Sequence, residues 1–185
     1  MNAPNGNAYD AALSLLERPT ESGEEFVELA VKALTHGLGC TGALVVGLSE
    51  ADGSPVLLAS HWRGREPGGA FSPFMSLPHT PPFPIEPGQK YWYRASLSSD
   101  DTATLADQVA SCHGHLLADA AGRTWGYLLA VDQGAIANDM AAAMFIRLVA
   151  ERISSRHLQS TDALKPLLLD RSADYDLALF DSSPV

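Results

Sequence analysis

The residues of this 185-residue chain that invite chemistry are two thiols, a His-x-His pair and a set of aromatics. Cys40 and Cys112 are the two cysteines. Two thiols cannot build a disulfide framework or a four-thiolate zinc site. They allow redox chemistry if one is held as a thiolate; otherwise they fill space in the core. His113-x-His115 places two imidazoles on one face of a strand, because strand side chains alternate. With His61 or a carboxylate such as Asp100 the pair could hold zinc or another transition metal, but two histidines alone are not a site. In a pocket the same imidazoles would hydrogen-bond an anionic or heterocyclic ligand, or report pH. Trp62, Phe71, Phe74, Tyr91, Trp92, Tyr93, Trp125 and Tyr127 supply the apolar and aromatic surface that small-molecule pockets use, and core packing uses the same residues. Gly64-x-x-x-Gly68-Gly69 lacks the Lys-Ser/Thr of a phosphate loop. Arg63 and Arg65 stand ready for an anion or for solvent. No nucleophilic triad or magnesium-binding carboxylate pair is visible.

The elements that must carry these residues follow from periodicity. A short helix over 8–18, with Leu13, Leu15 and Leu16, stops at Pro19. Ser22-x-x-Glu25 is a capping box, and Phe26, Leu29, Ala30, Ala33 and Leu34 recur at helical spacing until Gly37 and Gly39 end the helix. Ala43–Leu48 is a buried strand, Glu50–Gly53 a turn, and 55–62 the returning strand. Residues 63–89 hold seven of the twelve prolines and form a long loop. A short strand at Lys90–Arg94, a short helix at 98–109, a hairpin of 112–119 with 123–132, and a long helix at 138–159 complete the order. That helix carries Ala141, Phe145, Leu148, Val149 and Ile153 as its stripe, with Met144 and Ile146 away from its centre. The expected organisation is an N-terminal arm and short helix at 1–19, one domain at 20–160 and an acidic tail or linker at 161–185. Hairpins flanked by terminal helices make an α+β domain.

Composition narrows the function. The net charge of -10 argues against nucleic-acid binding by phosphate neutralisation and against docking on anionic membrane. No basic-then-apolar leader opens the chain and no apolar run approaches a membrane span, so a cytoplasmic protein is expected.

With these residues on the page, the chain resembles a GAF domain of bacterial signalling proteins. Leu34-Thr35-His36-Gly37-Leu38-Gly39-Cys40-Thr41-Gly42-Ala43-Leu44-Val45-Val46-Gly47 is similar to the opening of that family, where a helix ends at a Leu-Gly turn and feeds the first core strand. Residues 114–132 resemble its closing hairpin, with Gly122, Gly126 and Leu128 matching and Leu117-Ala118 standing where Pro-Leu is usual. Phe145–Leu158 resembles the terminal helix that leads into a further signalling domain. The resemblance implies a PAS-related, six-stranded antiparallel sheet, with terminal helices on one face and a ligand pocket on the other. It implies a small-molecule sensor that modulates a partner or output domain, and a homodimer paired along its end helices. Two other uses of the fold touch the thiols. Bilin-binding members attach chromophore through a Cys followed by His, as in Cys112-His113, but on a helix well before the hairpin strand. Free methionine-(R)-sulfoxide reductases use a cysteine relay in the region between the second strand and the closing hairpin, and residues 63–111 hold no cysteine. A degenerate module that only dimerises is a further alternative. The expectation is a non-enzymatic sensor without cofactor or metal. Its ligand contacts are Trp62, Phe74, Tyr91, Tyr93, Asp100, His113, His115, Trp125 and Tyr127. The pocket is bounded by 63–89, 98–109 and the strands at 91–94 and 112–117.

Overall fold

In the computed structural model the described residues are 6–49, 51–64, 89–94 and 110–159. Eight elements follow in order: α1 (Gly6–Leu16), α2 (Gly23–Leu38), β1 (Gly42–Leu48), β2 (Pro55–Trp62), β3 (Tyr91–Arg94), β4 (Ser111–Ala118), β5 (Thr124–Asp132) and α3 (Met140–Gln159). The expected helix at 98–109 and nearly all of the loop at 63–89 lie outside the described residues, as does the tail from residue 160.

Local chemistry sets each boundary. The Ser22 hydroxyl accepts from the Glu25 N–H at 3.1 Å and caps α2, while the Glu25 carboxylate reaches back to the Glu21 N–H at 2.8 Å. Gly39 ends α2 in the left-handed region at φ 65°, where a Cβ would be strained. Gly37 does not end the helix; it lies inside it. Its role is contact, since a Cβ there would overlap the Phe145 ring of α3. Asp52 and Asp119 make the two hairpin turns by accepting from backbone N–H groups two residues on, beside Gly53 and Gly122 at positive φ.

The sheet order is β2-β1-β5-β4-β3, and every pairing is antiparallel. Five strands are described where the family resemblance implies six. β1 lies inside the sheet, between β2 and β5, and Gly126 of β5 passes so close to the Val46 carbonyl of β1 that a Cβ would overlap it. One face carries Ala43, Val45, Val56, Leu58, Leu117, Leu128 and Ala130 into a core shared with all three helices. The opposite face carries Leu44, Val46, Trp92, Cys112, Tyr127, Leu129 and Val131.

α1, the short helix expected at 8–18, joins the helical layer. Its Ala12 and Leu16 are in the core, and Tyr9 packs on Phe145 with ring centroids 4.9 Å apart. The buried stripe of α3 is Ala142, Phe145, Ile146, Val149, Ala150 and Ile153. The helix is therefore rotated from the expected setting: Ile146 is inside, and Ala141 and Leu148 are exposed. Asp139 caps the start of the helix by accepting from the Ala142 N–H at 2.8 Å. The rotation leaves Met140, Met144 and Leu148 exposed at 76%, 57% and 40%, one helical turn apart.

Gly37→Ala tests the α2–α3 contact. Helix propensity alone favours Ala by about 1 kcal/mol. Overlap with the buried Phe145 ring costs about 1–3 kcal/mol, so net destabilisation is expected. Denaturant unfolding reads the sign, and Phe145→Leu in the same chain should recover part of the loss. An unchanged or raised midpoint for Gly37→Ala would refute the contact.

Candidate functional site

The two faces of the sheet sort the candidate residues. On the face opposite the helices, Trp92 lies across Gly114 of the neighbouring strand and Trp62 across Gly42; a Cβ on either glycine would overlap the indole. Each ring thus lies flat over a bare patch of backbone. Tyr127, Leu129, Leu44 and Val46 fill the surface between, with Cys112 beside them. The Trp92 Nε1 and Tyr127 Oη atoms are buried here without a hydrogen-bond partner among the described residues. Burial raises the Tyr127 pKa well above its ordinary value, so the phenol keeps its proton as a donor.

Tyr91, Tyr93, His113 and His115 take the other face. Their register partners His113↔Ala130 and His115↔Leu128 put both imidazoles on the side of the helices. They stand on the helix side of the sheet, not on the face where the resemblance puts the pocket. His113 is fully buried; its Nδ1 lies 2.7 Å from the Tyr91 hydroxyl, and its ring lies 4.4 Å from that of Tyr93. The Tyr93 hydroxyl donates to the Ile136 carbonyl at 3.5 Å. The Ser111 hydroxyl donates to the Gly134 carbonyl at 2.6 Å and accepts from the Ile136 N–H at 3.0 Å. These residues stitch the connector 133–139, and with it the start of α3, to the sheet. His115 and Tyr91 also reach a groove between α3 and β4.

Trp125 leaves the face of Tyr127 as well. A bulge between Leu117 and Ala118 pairs them with Gly126 and Thr124, making Trp125 the extra residue, and it packs against the helical core. Phe74 and Asp100 lie outside the described residues. Of the nine expected contacts, Trp62 and Tyr127 therefore share the face opposite the helices. Trp92, Leu44 and Leu129 join them without having been singled out as ligand contacts. The signal for Leu44 and Leu129 was the continuous apolar runs of β1 and β5, which mark strands covered on both faces.

The thiols and histidines show little of the chemistry their spacing invites. Burial pushes Cys40 and Cys112 up to about 12, so both are protonated thiols at neutral pH. The Cys40 Sγ donates to the Gly42 carbonyl at 3.3 Å. His61 stands beside His36 at 5.9 Å between ring centroids. It is three strands from β4, a separation of about 14 Å, too far to share a metal with His113 and His115. Among the described residues no three His, Cys, Asp or Glu side chains gather as metal ligands.

No family model matches the chain, and no curated protein matches it. Solved structures do. The GAF domain of a protein assigned as a sensor histidine kinase from Pseudomonas syringae pv. tomato superposes with a TM-score of 0.56 at 15% identity, over 87% of this chain and 88% of that one. The fold is that of a GAF domain. The GAF domain of an Acinetobacter phosphoenolpyruvate-protein phosphotransferase matches with a TM-score of 0.58 at 12% identity, covering 84% and 93%. The chromophore-binding domain of Stigmatella aurantiaca phytochrome P1 matches with a TM-score of 0.59 at 14% identity. The match covers 80% of this chain but 58% of the phytochrome domain, so this chain spans little more than half of that domain's length. In this GAF fold Gly126 of the closing hairpin is explained by the close approach of β1, and Gly122 by its left-handed turn.

His113 gives this fold a pH dependence. Burial pushes its pKa down from 6.5 to about 4. The folded state thus holds the neutral ring, and stability is fully present above pH 6.5 and is lost as pH falls toward 4. The loss reaches about 3 kcal/mol, with His61 and His115 shifted in the same direction. Urea midpoints measured across this window should fall steeply for the native sequence and less for His113→Gln. Equal slopes would overturn the assignment.

Proposed function

We propose that the chain is a small-molecule-sensing regulatory module that binds its ligand on the sheet face opposite the helices. The observation that carries this reading is the pair of buried donors, Trp92 Nε1 and Tyr127 Oη, without partners among the described residues and set in an apolar aromatic surface. An unmet buried polar group costs about 1–3 kcal/mol, and a flat ligand offering acceptors to both donors recovers that cost. The chromophore-binding role of the phytochrome relative and the sensor-kinase setting of the Pseudomonas relative agree with it. The described elements of the fold span β1, whose two faces meet both the ligand surface and the helices. Differential binding there shifts α2 and α3, and through them a partner or output domain. The reading is non-enzymatic: thiols held near 12 disfavour a methionine-sulfoxide reductase relay, which needs a thiolate.

A specific observation favours a homodimer as the working form. Met140, Met144 and Leu148 make an exposed stripe along α3 that no described element covers. Pairing with the same stripe of a second copy would bury it in an isologous interface.

Two experiments test these readings. In a thermal-shift screen of metabolites, a ligand at a hundred times its Kd should add about 2.7 kcal/mol. Tyr127→Phe should leave the free protein as stable or more so, since it deletes an unmet hydroxyl, while weakening that ligand about tenfold. A ligand whose affinity ignores both Tyr127→Phe and Trp92→Phe would refute the site. For the dimer, light scattering of the native chain should give twice 19.6 kDa, and Met144→Glu should return it to the monomer mass. A native chain that is monomeric at micromolar concentration would remove the dimer.

A further inference from the structure

On the helical side of the sheet, α3 and the β3–β4 edge enclose a groove of ≈ 640 Å³. It lies across the sheet from the surface considered above, and its chemistry is different. In its wall is His115, 8% exposed, whose Nδ1 lies 2.7 Å from the Leu116 carbonyl. A carbonyl only accepts, so Nδ1 carries the proton of the neutral ring and Nε2 presents a lone pair. No described residue supplies a donor to that Nε2. Around it stand Lys90, Arg147 and Glu151, all close enough to act on the imidazole electrostatically. Arg147 Nε donates to Glu151 Oε1 at 2.7 Å, which leaves the terminal guanidinium nitrogens and the second carboxylate oxygen for other partners. Lys90 has no ion-pair partner among the described residues.

The groove therefore offers acceptors, His115 Nε2 and Glu151, beside donors, Lys90 and Arg147. The formal charge of these four groups is +1 with His115 neutral, and Asp119, which also lines the groove, is paired with Arg123 at 2.7 Å. A dianion such as phosphate finds a carboxylate in its way. A zwitterion finds a partner for each end: a carboxylate for Lys90 and Arg147, an ammonium for Glu151 and Nε2. Tyr91 and Ala150 also line the groove and give an apolar wall for a side chain. We propose that this groove is a second ligand site, one that takes a free 2-amino acid with a sizeable apolar side chain. An amino acid held there bridges the β3–β4 edge to α3, the helix that carries the exposed Met140, Met144 and Leu148 stripe.

Titration calorimetry of the full chain with L-leucine and L-phenylalanine tests the site. Phenyllactate and inorganic phosphate serve as comparison probes. Either amino acid should bind with a Kd at or below about 1 mM, and phenyllactate, which lacks the ammonium, about tenfold or more weakly. Lys90→Gln and Glu151→Gln are surface changes that leave the core intact, and each should weaken the amino acid about tenfold. Tyr127→Phe, on the opposite face, should leave it unchanged, so failure of this site and failure of the sheet-face site read out separately. Binding should also shift the His115 Nε2 nitrogen resonance in the native chain. Four results would overturn the proposal: no heat or resonance shift with either amino acid, phosphate or phenyllactate binding as tightly, affinity indifferent to both groove variants, or loss of affinity on Tyr127→Phe.

Discussion

Burial of β1 and β5 on both faces is the constraint from which the rest of the structure follows. Alternate residues of these two strands enter two separate apolar layers: Ala43, Val45, Leu128 and Ala130 on one side, Leu44, Val46, Leu129 and Val131 on the other. A sheet with one wet face would need one cover. This one needs two, and the three helices supply only the first. The close pass of Gly126 against Val46 holds the two strands in register, so that neither set of side chains can slip to the wrong layer.

The helical layer is itself locked at a small number of points. Phe145 sits on Gly37 and against Tyr9, joining all three helices through one ring. Arg156 lies over the Phe26 ring at 4.9 Å, and Arg152 reaches Glu17 at 3.7 Å. Such exposed contacts contribute little individually; the ring in its glycine notch is what sets the distance between α2 and α3. At the other end of α3, Ser111 ties the connector to β4. The long helix is thus registered to the sheet at its start and to α2 along its length.

Element order and most boundaries were legible in the sequence because local chemistry wrote them. Ser22, Gly39, Asp52 and Asp119 each act within a few residues of themselves. What stayed illegible depends on partners distant in sequence. Gly37 looks like a stop signal beside Gly39, and only Phe145 shows that it is a contact. The His113-x-His115 spacing places both rings on one face, but with apolar residues on both sides of β5 nothing local says which. Trp125 follows neither parity, because a bulge in the hairpin turns it, and the packing of α3 on the sheet and α2 takes Ile146 inside in place of Leu148. The fold could therefore be read from periodicity and turns, while the grouping of the candidate site residues needed the strand register.

The placing of the three tryptophans gives the molecule a built-in optical asymmetry. Trp62 and Trp92 lie over glycine backbone on the face opposite the helices, and Trp125 is turned by its bulge toward the helical core. Indole emission reports the polarity within a few ångströms of the ring. Intrinsic fluorescence therefore carries two spatially separate signals divided by one sheet. Replacing Trp125 alone leaves emission that looks only onto one surface of the protein, without any attached dye.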